Sequence, residues 1–358
     1  PTAELLLLAA REAQILDEVT RPALGRAHVV IADRYLDSPF VLATRGRGLP
    51  AERVVRVLES LGAPLPDLAI LVDVDPVIAR ARRRAAKLES PVSRPGSRKG
   101  LSGAGLVARL REGYLEIAAH SPGRWIVVDN NDADLGSLTR SVTALVRTAL
   151  RDGAAGAIAE HAIRLDRTAR PPRPIAPRSL GEARAAFLRA VDRRSDREPA
   201  TAAYLLGGLA GPGFDERRAA LANRAPRVVA AGVKGLDDEL SWRLRGALAE
   251  VAPENVARSV GGRCADADES WRIRAQLVEI APFGVAASLD GLGSPRAFGL
   301  RDRLITSCFE RVVASLGGLD QAEAWAMRAA WLRGRPDLSD AGRAASACRS
   351  IAGLACER

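Results

Sequence analysis

The apolar positions in the first 150 residues alternate between helical and strand spacing. Apolar residues recur every three to four positions over 3–24 and 52–62, which predicts amphipathic helices. Continuous apolar runs predict strands over 28–32, 68–74 and 125–128, and helical spacing returns over 76–87, 106–120 and 135–150. Strands that alternate with helices favour an α/β fold built on a doubly wound parallel sheet.

Beyond about residue 183 the chain repeats itself. Four similar segments, each headed by an aromatic residue, follow one another at intervals of 29, 27 and 27 residues: Trp242-Arg243-Leu244-Arg245, Trp271-Arg272-Ile273-Arg274, Phe298-Gly299-Leu300-Arg301 and Trp325-Ala326-Met327-Arg328. Prolines recur with a similar period, at 199, 226, 253, 282 and 336, and Gly-Leu pairs follow them. A period near 27 predicts helix–turn–helix units that stack into an all-α solenoid resembling HEAT-like repeats. We expect Trp242, Trp271, Phe298 and Trp325 to lie inward along one buried seam.

A segment rich in proline and arginine separates these two patterns. Four prolines and four arginines occur between Arg167 and Arg178, a composition that cannot form a core. The sequence therefore predicts an α/β domain over 1–155, a semi-rigid linker over 165–182 and a helical-repeat domain over 183–358.

The charge and cysteine content narrow the functional classes. The formal net charge is +10, yet aromatic residues make up only 4% of the chain, which argues against stacking on single-stranded nucleic acid. The four cysteines form no Cys-x-x-Cys pair, which favours a reduced, cytoplasmic protein over a disulfide framework or a zinc site. The apolar run Leu5–Ala10 is too short to cross a membrane.

The first predicted strand ends in Asp33-Arg34-Tyr35, which suggests phosphate chemistry. Ligands of open α/β sheets bind beyond the carboxyl ends of strands. An arginine there can grip phosphate oxygens in a bidentate fork, and a carboxylate can order a metal-bound water. The alternative interpretation of these residues is a strand that ends in a surface ion pair.

Further segments, in order along the chain, place this motif in a family. They are Glu4–Gln14, Arg21-Pro22-Ala23-Leu24, Asp37-Ser38, Arg45–Leu49, Pro66–Pro76 and Leu110–Ala118. Over roughly residues 1–150, this ordered set resembles thymidylate kinase, the enzyme that phosphorylates dTMP with ATP. The resemblance implies a P-loop kinase fold, ATP as co-substrate, Mg²⁺, and dTMP as acceptor, and it is consistent with a homodimer through this domain.

The resemblance also implies roles for individual residues. Arg34 would bind the acceptor phosphate, and Asp33 would lie between that phosphate and the Mg²⁺ shell without ligating the metal directly. Substrate-binding positions would be Arg11, Gln14, Tyr35, Ser38, Arg47, Gly48 and Tyr114, and the basic residues of the lid would be Arg94, Arg98 and Lys99. Arginines that converge on phosphates are the expected machinery of phosphoryl transfer.

The chain departs from the family pattern at several points. No segment matches the Gly-rich phosphate loop that ends in Lys-Ser/Thr, and the chain begins at Pro1, so we expect a truncated N-terminus and no kinase activity from the chain alone. Val41-Leu42-Ala43-Thr44 replaces the pocket residues Ala-Tyr-Gln-Gly, and Leu7 replaces an aromatic residue expected to stack on thymine. Ser93–Gly100 replaces the lid motif Asp-Arg-x-Glu and also fits a charged loop with no site role.

These observations predict a nucleoside-monophosphate kinase that transfers the ATP γ-phosphoryl group to dTMP to give dTDP. One alternative is an inactive kinase-like domain that senses a nucleotide and signals through the repeats to a protein partner. A second is a scaffold whose repeats bind another protein.

Overall fold

The computed structural model describes residues 1–26, 29–90, 104–132, 135–167 and 179–334. The chain divides into two compact units. The first comprises Pro1–Ala79 and Arg94–Ala176, and the second comprises Arg80–Ser93 and Pro177–Arg358. No helix of the described residues is long and apolar enough to span a lipid bilayer.

The first unit is mostly helical. Its helices are α1 (Thr2–Ile15), α2 (Arg21–Leu24), α3 (Asp37–Val41), α4 (Ala51–Glu59), the start of α5 (Pro76–Glu89), α6 (Ala104–His120) and α7 (Leu135–Arg167). Two π-helical turns, Leu16–Thr20 and Leu42–Gly46, extend α1 and α3. The predicted helix over 3–24 is thus confirmed, and it continues past Pro22. The wider turn just before this proline accommodates a residue that lacks a backbone donor.

The sheet of this unit, in the described residues, has two parallel strands, β1 (Ala69–Asp73) and β2 (Trp125–Asp129). They pair in register from Ala69 opposite Trp125 to Asp73 opposite Asp129. The helices α5 and α6 lie between them in the chain, which is the crossover that a parallel pair requires. The predicted strands at 68–74 and 125–128 and their parallel arrangement are confirmed.

The strand predicted over 28–32 is wrong for the residues that the structure describes. Val29–Ala32 has no regular secondary structure, and the side chain of Ile31 is 81% exposed. His28 lies outside the described residues. A strand requires a partner to complete its hydrogen-bond ladder, and no described strand borders this run, so its apolar composition is not sufficient.

A small core holds α1 against the helices that follow it. Leu5 and Ala9 are buried on one face of α1, at the spacing expected for an amphipathic helix, and Leu16 continues this buried series into the π-helical turn. Leu5 and Ala9 pack with Ala43, Val54 and Leu58. A second cluster joins Ile126 and Val128 of β2 to Leu145 and Ala157 of α7. Helix α7 breaks at Gly153, where φ is 76°, so the helix predicted to close at 150 is followed by a second helical stretch.

The second unit is a succession of helix pairs. Its helices are the remainder of α5, then α8 (Leu180–Ser195), α9 (Pro199–Leu205), α10 (Phe214–Leu221), α11 (Pro226–Gly232), α12 (Glu239–Leu248), α13 (Pro253–Ser259), α14 (Asp268–Leu277), α15 (Pro282–Ser288), α16 (Pro295–Ala314) and α17 (Ala322–Gly334). A short 3-10 turn, Gly262–Cys264, precedes α14. The short helices α9, α11, α13 and α15 each begin with a proline and pack on one another in sequence.

The turn inside each pair has the same backbone conformation. Glu198, Ala225, Ala252 and Ala281, each before a proline, have φ between −142° and −135° and ψ between 49° and 63°. Cys308 adopts a nearly identical conformation inside α16, with φ −149° and ψ 51°. The fifth pair therefore keeps the turn although Phe309 replaces the proline. Pro336, which the sequence places in the same series, lies outside the described residues.

A row of buried arginines marks the same period. Arg218, Arg245, Arg274, Arg301 and Arg328, which we call the arginine row, are each at most 4% exposed and follow one another at intervals of 27, 29, 27 and 27 residues. The Arg245 guanidinium donates to the carbonyl oxygens of Val233 (2.7 Å) and Leu236 (2.9 Å), and to the Ser259 hydroxyl at 3.1 Å. Each such guanidinium supplies donors to carbonyls that a helix C-terminus leaves without partners.

The aromatic residues lie over this row rather than forming one buried seam. Trp271 and Phe298 are 5% and 8% exposed, which confirms the prediction for these two positions. Trp242 is half-buried and packs against the buried cluster that contains Trp271, so the prediction is confirmed there in part. Trp325 is 44% exposed, so the prediction is wrong for that position. The fully buried side chains of the repeated motif are its arginines, and the rings cover the guanidinium groups at 4.2 Å to 5.2 Å from ring centre to central carbon.

Candidate functional site

Asp33 and Arg34 lie in a bend between α2 and α3, and both side chains are exposed. The φ angle of Arg34 is 71°, the only positive value among the described residues other than glycine. A side chain with a Cβ is strained in this region, and such strain is concentrated at functional positions. In the described part of the chain, neither side chain forms a hydrogen bond or an ion pair, so both charges are available to a ligand.

Tyr35 fixes the chain immediately after this bend. Its hydroxyl group donates a hydrogen bond to the carbonyl oxygen of Pro64 at 2.9 Å. Burial raises the pKa of Tyr35 above its ordinary value, partly offset by the positive charge of Arg21. The phenol therefore remains protonated and acts as a donor to the loop beyond α4, so the structure gives it a positioning contact.

Ser38 is held by the helix that follows the predicted lid. The Tyr114 hydroxyl of α6 donates to Ser38 Oγ at 2.7 Å. Next to it, the Arg124 guanidinium bonds both carboxylate oxygens of Asp37, at 3.1 Å and 3.3 Å. Gly113 permits this close approach, since a Cβ there would lie 2.9 Å from a methyl carbon of Val41. The structure thus brings together two predicted site residues, Ser38 and Tyr114.

Arg11 and Gln14 are occupied by neighbours on their own helical segment. Arg11 forms an ion pair with Glu12, and its side chain is 56% exposed. The amide of Gln14 donates to Glu18 at 3.1 Å. Glu12 lies on the buried face of α1 and is 5% exposed, and the predictions from the sequence give it no role. Its place in the buried series of α1, seven residues after Leu5, was the signal in the sequence.

Arg47 is paired as well. Its guanidinium bonds both carboxylate oxygens of Glu4, at 2.7 Å and 3.0 Å. These hydrogen bonds raise the pKa of Arg47 and lower that of Glu4. The pair joins the loop after α3 to the first turn of α1. Gly48, which follows, has a φ of 73°.

The carboxyl ends of the two strands carry charges that the sequence analysis did not assign. Arg111 of α6 bonds both carboxylate oxygens of Asp73 at 2.7 Å, and this hydrogen bonding raises the pKa of Arg111. The Asp75 amide donates to the Asn131 side chain at 2.7 Å, which links the loops after β1 and β2. No group of three potential ligand side chains is placed to hold a metal in the described residues. Arg94, Arg98 and Lys99 lie outside those residues.

Comparison with known proteins relates the first part of the chain to one family. Residues 1–137 match the family model described as thymidylate kinase. The chain is 36% identical over 150 residues to the thymidylate kinase of Desulforudis audaxviator, which covers 42% of this chain and 64% of the relative. It is 38% identical over 133 residues to that of Trichlorobacter lovleyi, which covers 36% and 61%.

A third relative is matched over more of its length. The chain is 36% identical over 157 residues to the thymidylate kinase of Nitratidesulfovibrio vulgaris, which covers 44% of this chain and 70% of the relative. The chain spans about two thirds of the length of these curated relatives. No solved structure gives a significant match.

Proposed function

The chain belongs to the thymidylate kinase family, and we propose that its first unit binds dTMP as the acceptor in phosphoryl transfer from ATP. The observation that carries this proposal is the bend at Asp33-Arg34, which presents an exposed guanidinium and carboxylate on a strained backbone. Family membership supports kinase activity. We propose in addition that the acceptor is dTMP in preference to other nucleoside monophosphates.

Each residue of the bend has a distinct role in this proposal. Arg34 binds the acceptor phosphate, because a guanidinium matches phosphate oxygens in a bidentate fork. Asp33 accepts hydrogen bonds from water, and its exposed carboxylate fits the outer shell of Mg²⁺. ATP with Mg²⁺, when bound, supplies the γ-phosphoryl group and neutralises its charge. Tyr114 acts through Ser38 and holds the loop next to the acceptor.

The remaining assignments extend the same proposal. Arg11, Gln14, Arg47 and Gly48 contribute to the acceptor pocket after Arg11 and Arg47 exchange their present carboxylate partners for the ligand. Arg94, Arg98 and Lys99 supply the basic lid. Residues 1–155 form the kinase domain, 165–182 the linker and 183–358 a HEAT-like solenoid, supported by the repeated turns and the arginine row. The scattered cysteines support a reducing, cytoplasmic location, and dimerisation through the kinase domain is proposed from the family alone.

Binding of dTMP to the chain tests the acceptor role. Isothermal titration should show saturable binding of dTMP, weaker binding of dUMP and dGMP, and loss of dTMP binding by about two orders of magnitude in Arg34→Ala. Arg53→Gln, an exposed arginine of α4, serves as the control and should leave the affinity unchanged. Equal binding of dTMP by the Arg34→Ala variant would remove Arg34 from the acceptor site.

Catalysis is tested separately. The chain, extended at its N-terminus with a phosphate-loop segment of the family, should release ADP from ATP in a coupled assay only when an acceptor is added. Acceptor-stimulated release that is greatest with dTMP supports the proposal. An extended protein that binds ATP but shows no stimulation by dTMP, dUMP or dGMP would refute the kinase activity.

A further inference from the structure

The first half of α7 borders a groove, and the resemblance to the family assigns no role to the residues of this groove. The groove has a volume of about 500 Å³ and is lined by Thr139, Arg140, Thr143, Arg147, Arg151 and Glu160, among others. All belong to α7, with Glu160 in the stretch after the break at Gly153. None of the predicted acceptor residues, all of which the structure describes, lines it.

The spacing of its basic residues places them on one stripe of the helix. Arg140, Thr143 and Arg147 occupy positions i, i+3 and i+7, which lie on the same side of a helix with 3.6 residues per turn. The two arginines are separated along the axis by about 10 Å, at a rise of about 1.5 Å per residue. Thr143 lies between them, so two long guanidinium arms flank one hydroxyl group.

Some charged side chains of the groove have a hydrogen-bond or ion-pair partner among the described residues, and others have none there. Arg151 is neutralised by Asp152, whose carboxylate accepts from Arg151 Nε at 2.9 Å and from the terminal nitrogen at 2.6 Å. Glu160 accepts a hydrogen bond from the Thr148 hydroxyl at 2.6 Å on the opposite wall. Arg140 and Arg147 are exposed, and neither forms an ion pair within the part of the chain that the structure describes. Arg140 and Arg147 therefore lie beside the Thr143 hydroxyl group, which forms no hydrogen bond in the described residues, while Glu160 contributes one negative charge to the lining.

We propose that this groove is a second phosphate site, in which Arg140 and Arg147 bind a phosphate dianion and the Thr143 hydroxyl donates a further hydrogen bond. The two guanidinium groups outweigh the single carboxylate of Glu160, and arginine matches phosphate oxygens in a bidentate manner. The same chemistry is offered by free phosphate and by a phosphomonoester. The volume of the groove accommodates a sugar phosphate, whereas none of the described residues that line it is an aromatic that could hold a base.

Isothermal titration of the full chain distinguishes the two sources of phosphate. Inorganic phosphate and ribose 5-phosphate are titrated at constant ionic strength, against chloride as the exchanged ion. In the Arg34→Ala background we expect one site per chain, and tighter binding of ribose 5-phosphate would identify a sugar phosphate as the ligand. Arg34→Ala removes any contribution of the acceptor site, and binding that persists in this background belongs to the groove whether or not the acceptor proposal holds.

Substitutions assign the binding to the groove. Arg140→Gln and Arg147→Gln should each weaken binding by about tenfold or more, because each removes a charge-assisted contact. Thr143→Val should weaken it by less, because only one neutral donor is lost. The control Arg53→Gln changes the net charge equally and should leave binding unchanged. Circular dichroism confirms that each variant is folded.

Three outcomes would overturn the proposal. The first is no saturable binding of either ligand in the Arg34→Ala background. The second is an equal loss in Arg53→Gln, which would mean that binding follows net charge alone. The third is unchanged binding in a folded double variant Arg140→Gln/Arg147→Gln.

Discussion

The guanidinium carbon of Arg274 lies 4.5 Å from the centre of the Trp271 ring, three residues earlier on α14. The same guanidinium donates to the carbonyl oxygen of Ala265 at 2.6 Å and to both oxygens of Ser288, at 2.8 Å and 3.0 Å. Burial lowers the pKa of Arg274 to about 10, which still leaves the side chain charged at neutral pH. The group is therefore a buried cation held by helix C-terminal carbonyls and one aromatic face.

Arg274→Ala should destabilise the second unit by about 3–5 kcal/mol, because it leaves buried carbonyl groups without donors and opens a cavity. Urea denaturation followed by tryptophan fluorescence measures this, since four of the five tryptophans lie beyond residue 240. Arg272→Ala is the matched control: its side chain is 77% exposed and pairs only with Glu269, so we expect a loss below about 1 kcal/mol. Equal losses in the two variants would contradict the structural role of Arg274.

Trp271→Ala and Trp325→Ala should differ in their effect on folding. Trp271 is 5% exposed and has guanidinium groups on it from both Arg274 and Arg296, so its removal should cost about 3–5 kcal/mol. Trp325 is 44% exposed, and its truncation should cost less than half as much. Circular dichroism melts compare the two variants. A larger loss for Trp325→Ala would show that the rings are not placed as described.

The period of the repeats was visible in the sequence, whereas the burial of their arginines was not. The motif that begins at Trp242 contains its buried cation three residues later, at Arg245, yet arginine is ordinarily assigned to the surface because its burial is costly. Here the carbonyl groups at the neighbouring helix ends accept hydrogen bonds from the guanidinium group and so offset the free-energy cost of burying its charge. Local periodicity predicts helices well because it depends on neighbours in the chain.

The pairing of strands and the contacts of the site were harder to predict, because both depend on residues that lie far apart in the chain. Val29–Ala32 has a strand-like composition, but strand pairing depends on a partner that composition does not specify. The contact of Ser38 with Tyr114 spans 76 residues, and only the family resemblance had placed both in one site. The position of Glu12 on the apolar face of α1 indicated its burial, but acidic residues are ordinarily assigned to the surface.

Arg34→Gly should separate stability from binding. Glycine adopts a φ of 71° without strain, so this variant should be more stable than Arg34→Ala by about 1 kcal/mol. Both variants lack the guanidinium and should lose dTMP affinity equally. Thermal melts of the two proteins and titrations with dTMP provide the comparison. A melting temperature of Arg34→Gly at or below that of Arg34→Ala would mean that the bend relaxes to a negative φ.

The stability of the second unit should fall as pH rises through the range in which Glu254 ionises. Burial raises the pKa of Glu254, outweighing Arg258 and the amides of Gly284 and Phe283, which lower it. The folded state therefore binds the proton more tightly than the unfolded state, so the stabilisation is complete below about pH 4 and is lost as pH rises through the folded pKa. Urea denaturation across this range should show that Glu254→Gln is less sensitive to pH. Parallel curves for the two proteins would refute the prediction.

Gly284→Ala should destabilise the packing of α13 against α15. A Cβ at this position would lie 2.6 Å from the carbonyl oxygen of Glu254 and 2.8 Å from the Ala257 Cβ, and both atoms belong to the neighbouring helix. Gly246→Ala is the control, because a Cβ at this exposed position of α12 would meet no other atom within 4 Å. We expect the control to gain about 0.5–1 kcal/mol from helix propensity while Gly284→Ala loses at least that much. Chemical denaturation of both variants gives the sign of each change.

The arginine row also determines how the second unit would respond to tension. Arg301 donates hydrogen bonds to Leu289 and Leu292 of the preceding pair and to Ser315 of its own pair. Each guanidinium group thus links two successive helix pairs. Links in series each bear the same pulling force, so the weakest link breaks first. Each rupture would free one repeat of about 27 residues, a gain in contour length of roughly 90 Å. The unit would thus lengthen in discrete steps, and the interval between successive arginines would set the length of each step.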